Sequence, residues 1–250
     1  YLYWKITKNA AKEEKGYSLY LDKDYKNLPE AMTVTAGLDV GEHTGVAAIT
    51  YQPSAAQNVI IRTNGGELTV NAASATVTHY GLADKVNVDA IAAHSYHENG
   101  FVTSYIKVTE GRVVLERGSS VSMVAIAATD LNKISVKQET GAEVFKVVSA
   151  NGTALAGNTA QIDVSDDVLD TEKAYQAGEL QNVKYGGGEG TSAKAYELYT
   201  ASHLAAFAKD VNDGKFTTYV YAKLCADVNI GGMAWEPIGN VVNPFFGSFD

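Results

Sequence analysis

Residues 58–88 read NVIIRTNGGELTVNAASATVTHYGLADKVNV, and within them Val59, Leu68, Val77 and Val86 follow one another at intervals of nine. Each sits in a short run rich in β-branched residues. Asn64-Gly65-Gly66 and Gly81 fall between the runs, where the chain has to bend. A recurrence this short is that of a strand and a corner. Outward from it, apolar doublets continue at Ile106/Val108, Val113/Leu115, Val121/Met123 and Ile134/Val136, with Val144 after them. Corner residues Asn99-Gly100, Gly111, Gly118 and Gly141 lie between. A β-sandwich would use longer alternating strands joined by hairpins, whereas a solenoid stacks brief strands coil upon coil. The doublets are short, and Asn-Gly pairs suited to two-residue hairpins occur only at Asn64, Asn99 and Asn151. The pattern predicts a mainly β chain built as a β-solenoid of the right-handed β-helix type, with a β-sandwich as the alternative.

Three zones follow. Residues 1–57 form a β-rich N-terminal region, in which Leu2, Trp4 and Ile6 alternate with Tyr3, Lys5 and Thr7 at the period of a half-buried strand. Residues 58–183 are the solenoid. Residues 184–250 open on Gly186-Gly187-Gly188-Glu189-Gly190, read as a linker, and continue as a helix-and-strand module. In that module Leu204, Phe207, Ala208 and Val211 recur at helical spacing, Thr200 is placed to cap the start, and Gly214 to end it. This short helix near the C-terminus is the expected cap of the solenoid, whose end coil cannot bury its own apolar face. His203 is expected on its polar side.

The stretch from Tyr199 through Leu204-Ala205-Ala206-Phe207-Ala208, Val211-Asn212-Asp213-Gly214, Trp235-Glu236-Pro237-Ile238-Gly239 and Pro244-Phe245-Phe246-Gly247-Ser248-Phe249-Asp250 resembles the module that leads into GLUG-motif repeats of large bacterial surface proteins, many from the gut. The resemblance implies an extracellular or cell-surface setting and the start of a further solenoid whose repeats lie outside this sequence. It implies no catalytic residues. The absence of an initiator Met at Tyr1 and of an anchoring motif at Asp250 reads as a segment of a larger protein.

Of 250 residues, 46% are apolar, enough for a substantial core. The net charge of −9 argues against nucleic acid and anionic membrane surfaces as partners. The longest apolar run, Met123 to Ala128, is too short to insert in a membrane. The single cysteine, Cys225, allows no intramolecular disulfide and reads as a small apolar residue of a buried strand.

Candidate chemistry is sparse. His94, His97 and Glu98 are the candidate metal ligands, with His79 joining them if coils stack favourably, because imidazole and carboxylate suit zinc. The competing reading is that such residues bond backbone groups at solenoid corners. Asp163, Asp166, Asp167 and Asp170 match no EF-hand spacing and read as a solvated connector. Tyr80, Tyr96 and His97 are candidate ligand-binding residues, since exposed Tyr among Asn, Ser and Thr makes an adaptable surface, although most of the 15 tyrosines are expected to fill strand faces. No nucleophile elbow, no His-Glu-x-x-His and none of the signatures of pectin-degrading β-helices occurs. These features lead to a non-catalytic structural or adhesive segment of a secreted or surface protein, without cofactor, whose partner is a glycan or protein of a host or neighbouring cell. The alternative is a carbohydrate-active β-helix enzyme or carbohydrate-binding module.

Overall fold

The computed structural model describes residues 3–9, 14–20, 31–34, 40–44, 48–51, 57–71, 75–89, 95–155, 161–176, 178–231 and 235–250; side chains are described from Ala48 onward, except those of 57–59, 64, 75 and 182. The described residues are mainly β, with a β-solenoid of about 5 turns and one α-helix.

Two parallel ladders run the length of the solenoid. One passes through the strands Val40–Thr44, Gln57–Asn64, the first half of Ala75–Val88, Ser95–Glu98, Gly111–Leu115, Ile134–Gln138 and Ile162–Asp163. The other passes through Ala31–Val34, Ala48–Tyr51, Glu67–Val70, the second half of Ala75–Val88, Phe101–Val108, Ser120–Ile126 and Glu143–Ser149. The nine-residue recurrence of the sequence is therefore half a coil. Val59 pairs with Val77 on one ladder and Leu68 with Val86 on the other. At the N-terminal side, Tyr3–Asn9 and Glu14–Tyr20 form an antiparallel pair.

Every second side chain of a strand points inward, and parallel register places like on like. Ile49, Leu68, Val86, Ile106, Val124 and Val147 occupy successive matched positions and are buried, as are Tyr51, Val70, Val88, Val108 and Ile126. Each such side chain contributes about 1.5–3 kcal/mol by leaving water. Between the ladders the chain turns a tight corner at Gly81, where φ is +91°. A Cβ there would lie 2.1 Å from the Thr63 carbonyl oxygen, and one on Gly100 would lie 2.3 Å from that of Gly81, so the corner requires stacked glycines.

Helix α1, Ala201–Asn212, forms where the spacing placed it, with the Thr200 hydroxyl accepting from His203 N–H and Gly214 at φ +70° just beyond its end. It covers the flank of the column. Ala201 N–H donates to Glu143 Oε2 (3.2 Å), Ser202 N–H to Ser120 Oγ (2.9 Å), and Ser122 Oγ–H to Ser202 Oγ (3.0 Å). At the other end the Lys209 stem passes Gly65. The ladder runs Glu143, Ser120, Phe101, Leu82, Asn64, four steps of about 4.8 Å. The rise from Ala201 to Lys209 is roughly 12 Å, and the long lysine side chain spans the rest. The helix thus lies along the stacking direction.

Because α1 is clamped between the column and a second core, ten of its twelve residues are buried. Leu204, Phe207 and Val211 pack with Leu198, Val220 and Ala222 of a three-stranded parallel sheet, Tyr196–Leu198, Val220–Leu224 and Gly247–Phe249. This corrects the placement of His203 on a polar side: it is 1% exposed, edge-on to the Phe145 ring of the solenoid. The glycine run 186–190, read as a linker, is packed in place. A Cβ on Gly186 would meet the Tyr199 ring, and Gly187 forms an antiparallel bridge with Glu197.

Candidate functional site

The strand Ser95–Glu98 carries three of the residues singled out in the sequence, Tyr96, His97 and Glu98, and its pleat separates them. Tyr96 and Glu98 point into the column, at 2% and 0% exposure, and His97 points out. Consequently His97 and Glu98 cannot share a metal ion, and Tyr96 is sealed from any ligand. His94 lies outside the described residues. Among the described residues no three His, Cys, Asp or Glu side chains converge as a cation site.

Inside the column the stacking joins His79 to Glu98 of the next coil. His79 Nδ1 lies 2.8 and 3.0 Å from the two Glu98 oxygens, Tyr96 O–H donates to Oε2 (2.7 Å), and Gly100 N–H to Oε1 (2.7 Å). Thr63 Oγ1 donates its one proton to the Leu82 carbonyl (2.6 Å), so its 2.7 Å contact with His79 Nε2 requires Nε2–H as donor. Nδ1 of the same ring faces the Glu98 carboxyl, which also accepts from Tyr96 and Gly100. Burial, then the adjacent Glu98 charge, pushes the Tyr96 hydroxyl well above its ordinary range, which keeps it a donor. The four side chains form one satisfied network with no route to solvent. Its chemistry is that of a structural pin: slipping a strand by one residue would place a polar group among Val and Ile and leave its partner without a hydrogen bond.

On the outside, His97 Nδ1 is 2.6 Å from Glu116 Oε1, and Arg62 lies over the Tyr80 ring at 5.3 Å. Tyr80 is 38% exposed, so Tyr80 and His97 are the two ligand-binding candidates that solvent reaches. Asp166 and Asp167 are exposed on a 3-10 turn, and Asp170 is occupied by Lys146 and by the backbone of Glu172 and Lys173. Cys225 follows its strand and is partly exposed instead of buried.

A second site lies in the C-terminal module, where the sequence pointed to no ligand. Asn240 Oδ1 accepts from the N–H groups of Val242 and Asn243, and the side-chain amides of Asn240 and Asn243 both donate to Asn212 O at the end of α1. Asn212 in turn accepts from Gly239 N–H through Oδ1. This clasp fixes the 240–246 turn against the helix end and leaves a pocket of about 250 Å³. Val211, Gly214, Phe216, Thr217, Asn243 and Phe246 are among its lining residues. On its rim Phe246 is 68% exposed and meets Tyr219, itself 46% exposed, edge to face with centroids 5.0 Å apart. Tyr221 lies 4.9 Å from Tyr219.

Beneath the module, Asp210 is buried and holds Lys184, Lys215 and Tyr185 together. Burial alone would raise its carboxyl, but the hydrogen bonds from those three groups prevail and hold it below the usual range. Burial pushes the His203 imidazole down to about 4. It stays neutral, with Nδ1 accepting from Tyr199 N–H (3.3 Å).

No helix among the described residues is long and apolar enough to cross a membrane. In comparisons with known proteins, no family model, no curated protein and no solved structure matches the chain.

Proposed function

We propose that this chain is a non-catalytic structural and adhesive segment of a large secreted or surface-attached bacterial protein, the setting its C-terminal stretch resembles. One observation carries the reading. The C-terminal module is hydrogen-bonded through Ala201 and Ser202 to two adjacent strands of the column, so the exposed Tyr219 and Phe246 rings sit at a fixed place on a stiff support. Large exposed aromatics on a rigid base make contact area at low conformational cost. The glycan or protein contacted belongs to a host or neighbouring cell.

Beads coated with the chain test this on layers of host or bacterial cells. Adhesion above uncoated beads is expected, falling at least tenfold for the Tyr219→Ala/Phe246→Ala pair. Absence of adhesion, or polysaccharide cleavage that disappears when one carboxylate is replaced, would overturn the proposal.

A further inference from the structure

We infer that the pocket between the end of α1 and the Asn240–Phe246 turn binds one ring of a neutral saccharide, held by Asn243 and Thr217 and stacked on Phe246 and Tyr219. The inference rests on the adhesive reading and names the ligand class for it. Four features of the pocket point to that class.

The first is size. At about 250 Å³ the pocket lies below the span of roughly 300–1,000 Å³ typical of drug-sized ligands, and it suits a single six-membered ring. The second is charge. No Asp, Glu, Lys, Arg or His is among its lining residues, in a chain that otherwise carries a charge on one residue in five. An ionic ligand would give up hydration without a partner to replace it. The third is the polar complement. The bond from Asn243 Nδ2 to Asn212 O orients the amide, leaving Oδ1 as a fixed acceptor, and Thr217 adds a solvent-facing hydroxyl. Sugar hydroxyls donate and accept, which matches both. Gly214 makes room, since a Cβ there would lie 2.8 Å from Asn243 Oδ1. The fourth is the rim. Phe246 and Tyr219, 76° apart, present a ring face beside the opening against which the C–H face of a pyranose can lie.

Among the described residues the solenoid exterior offers no equal. The Tyr80–Arg62 and His97–Glu116 pairs are occupied with one another.

The test titrates the intact chain with neutral methyl hexosides, N-acetylhexosaminides and hexuronates, followed by saturation-transfer NMR. A single small ring with few polar contacts should bind neutral sugars saturably with Kd of roughly 1–10 mM. Uronates should bind at least tenfold more weakly. Phe246→Ala should weaken neutral-sugar binding at least tenfold with unchanged Tm, and Thr217→Val, which leaves the Asn clasp intact, should weaken it several-fold. No saturable binding of any neutral sugar, equal binding of uronates, or full binding by Phe246→Ala overturns the inference. The two readings fail separately. Coated beads that adhere but are not displaced by any saccharide sink the sugar assignment and leave adhesion standing, whereas sugar binding without bead adhesion does the reverse.

Discussion

Replacing Glu98 by Leu removes the carboxyl on which three buried groups converge: His79 Nδ1, Tyr96 O–H and Gly100 N–H. The side chain that remains opposite is an imidazole at 0% exposure. Leaving these groups buried without the acceptor they share costs about 3–5 kcal/mol, at roughly 1–3 kcal/mol for each. His79→Leu should cost a similar amount. It leaves Glu98 buried with two donors, while Thr63 keeps its bond to Leu82. The double variant removes both partners and strands only Tyr96 O–H and Gly100 N–H, at roughly 1–3 kcal/mol each. It should therefore lose no more than Glu98→Leu alone, against roughly 6–10 kcal/mol if the two single losses added. Urea unfolding followed by circular dichroism measures all four proteins, provided the slope with denaturant is constant across them. If the double loses the sum of the singles to within about 0.5 kcal/mol, the two residues are independent and the pinning role is wrong.

Two further outcomes follow from the same geometry. Below pH 6.5 the unfolded chain takes up a proton at His203 that the folded chain refuses until about pH 4. The unfolded state then binds more protons, so this group's effect on stability is absent above 6.5 and grows unfavourable as the pH falls towards 4, reaching on the order of 3 kcal/mol. His203→Gln, which keeps an acceptor for Tyr199 N–H, should flatten that part of the profile; an unchanged slope between pH 6.5 and 4 would show that another group sets it. At the corner, Gly100→Ala drives a Cβ to within 2.3 Å of the Gly81 carbonyl oxygen and should cost about 3 kcal/mol in thermal or urea unfolding. Gly178→Ala, with open space around it, should stay within about 0.5 kcal/mol, and equal losses at the two sites would refute the stacked-glycine corner.

The residues weighed for ligand or metal are legible in the sequence one by one but not in their relations. Tyr80 and His97 are where solvent reaches them, and His79 does meet Glu98. Grouping His97 with Glu98 failed because neighbours on a strand face opposite ways. Thr63 gave no sign of its part, because a threonine in a strand reads as ordinary β-propensity. The aromatic pocket was equally hidden: its walls come from residues 211–220 and 242–246, which meet only after α1 docks and the asparagine clasp closes.

What the residues determine by themselves is what their chain neighbours enforce. Period-two runs of Val and Ile make brief strands, glycines supply the left-handed corners, and Thr200 and Gly214 bound a helix that forms where its spacing says. The tertiary structure alone decides who stands above whom. Coil lengths vary, from the 17 residues between Tyr96 and Val113 to the 26 between Val136 and Ile162, through loops that carry no periodic signal. Register across coils is therefore an outcome of packing the whole column, and with it come the His79–Glu98 pin, the flank on which α1 lies and the pocket that α1 helps to build.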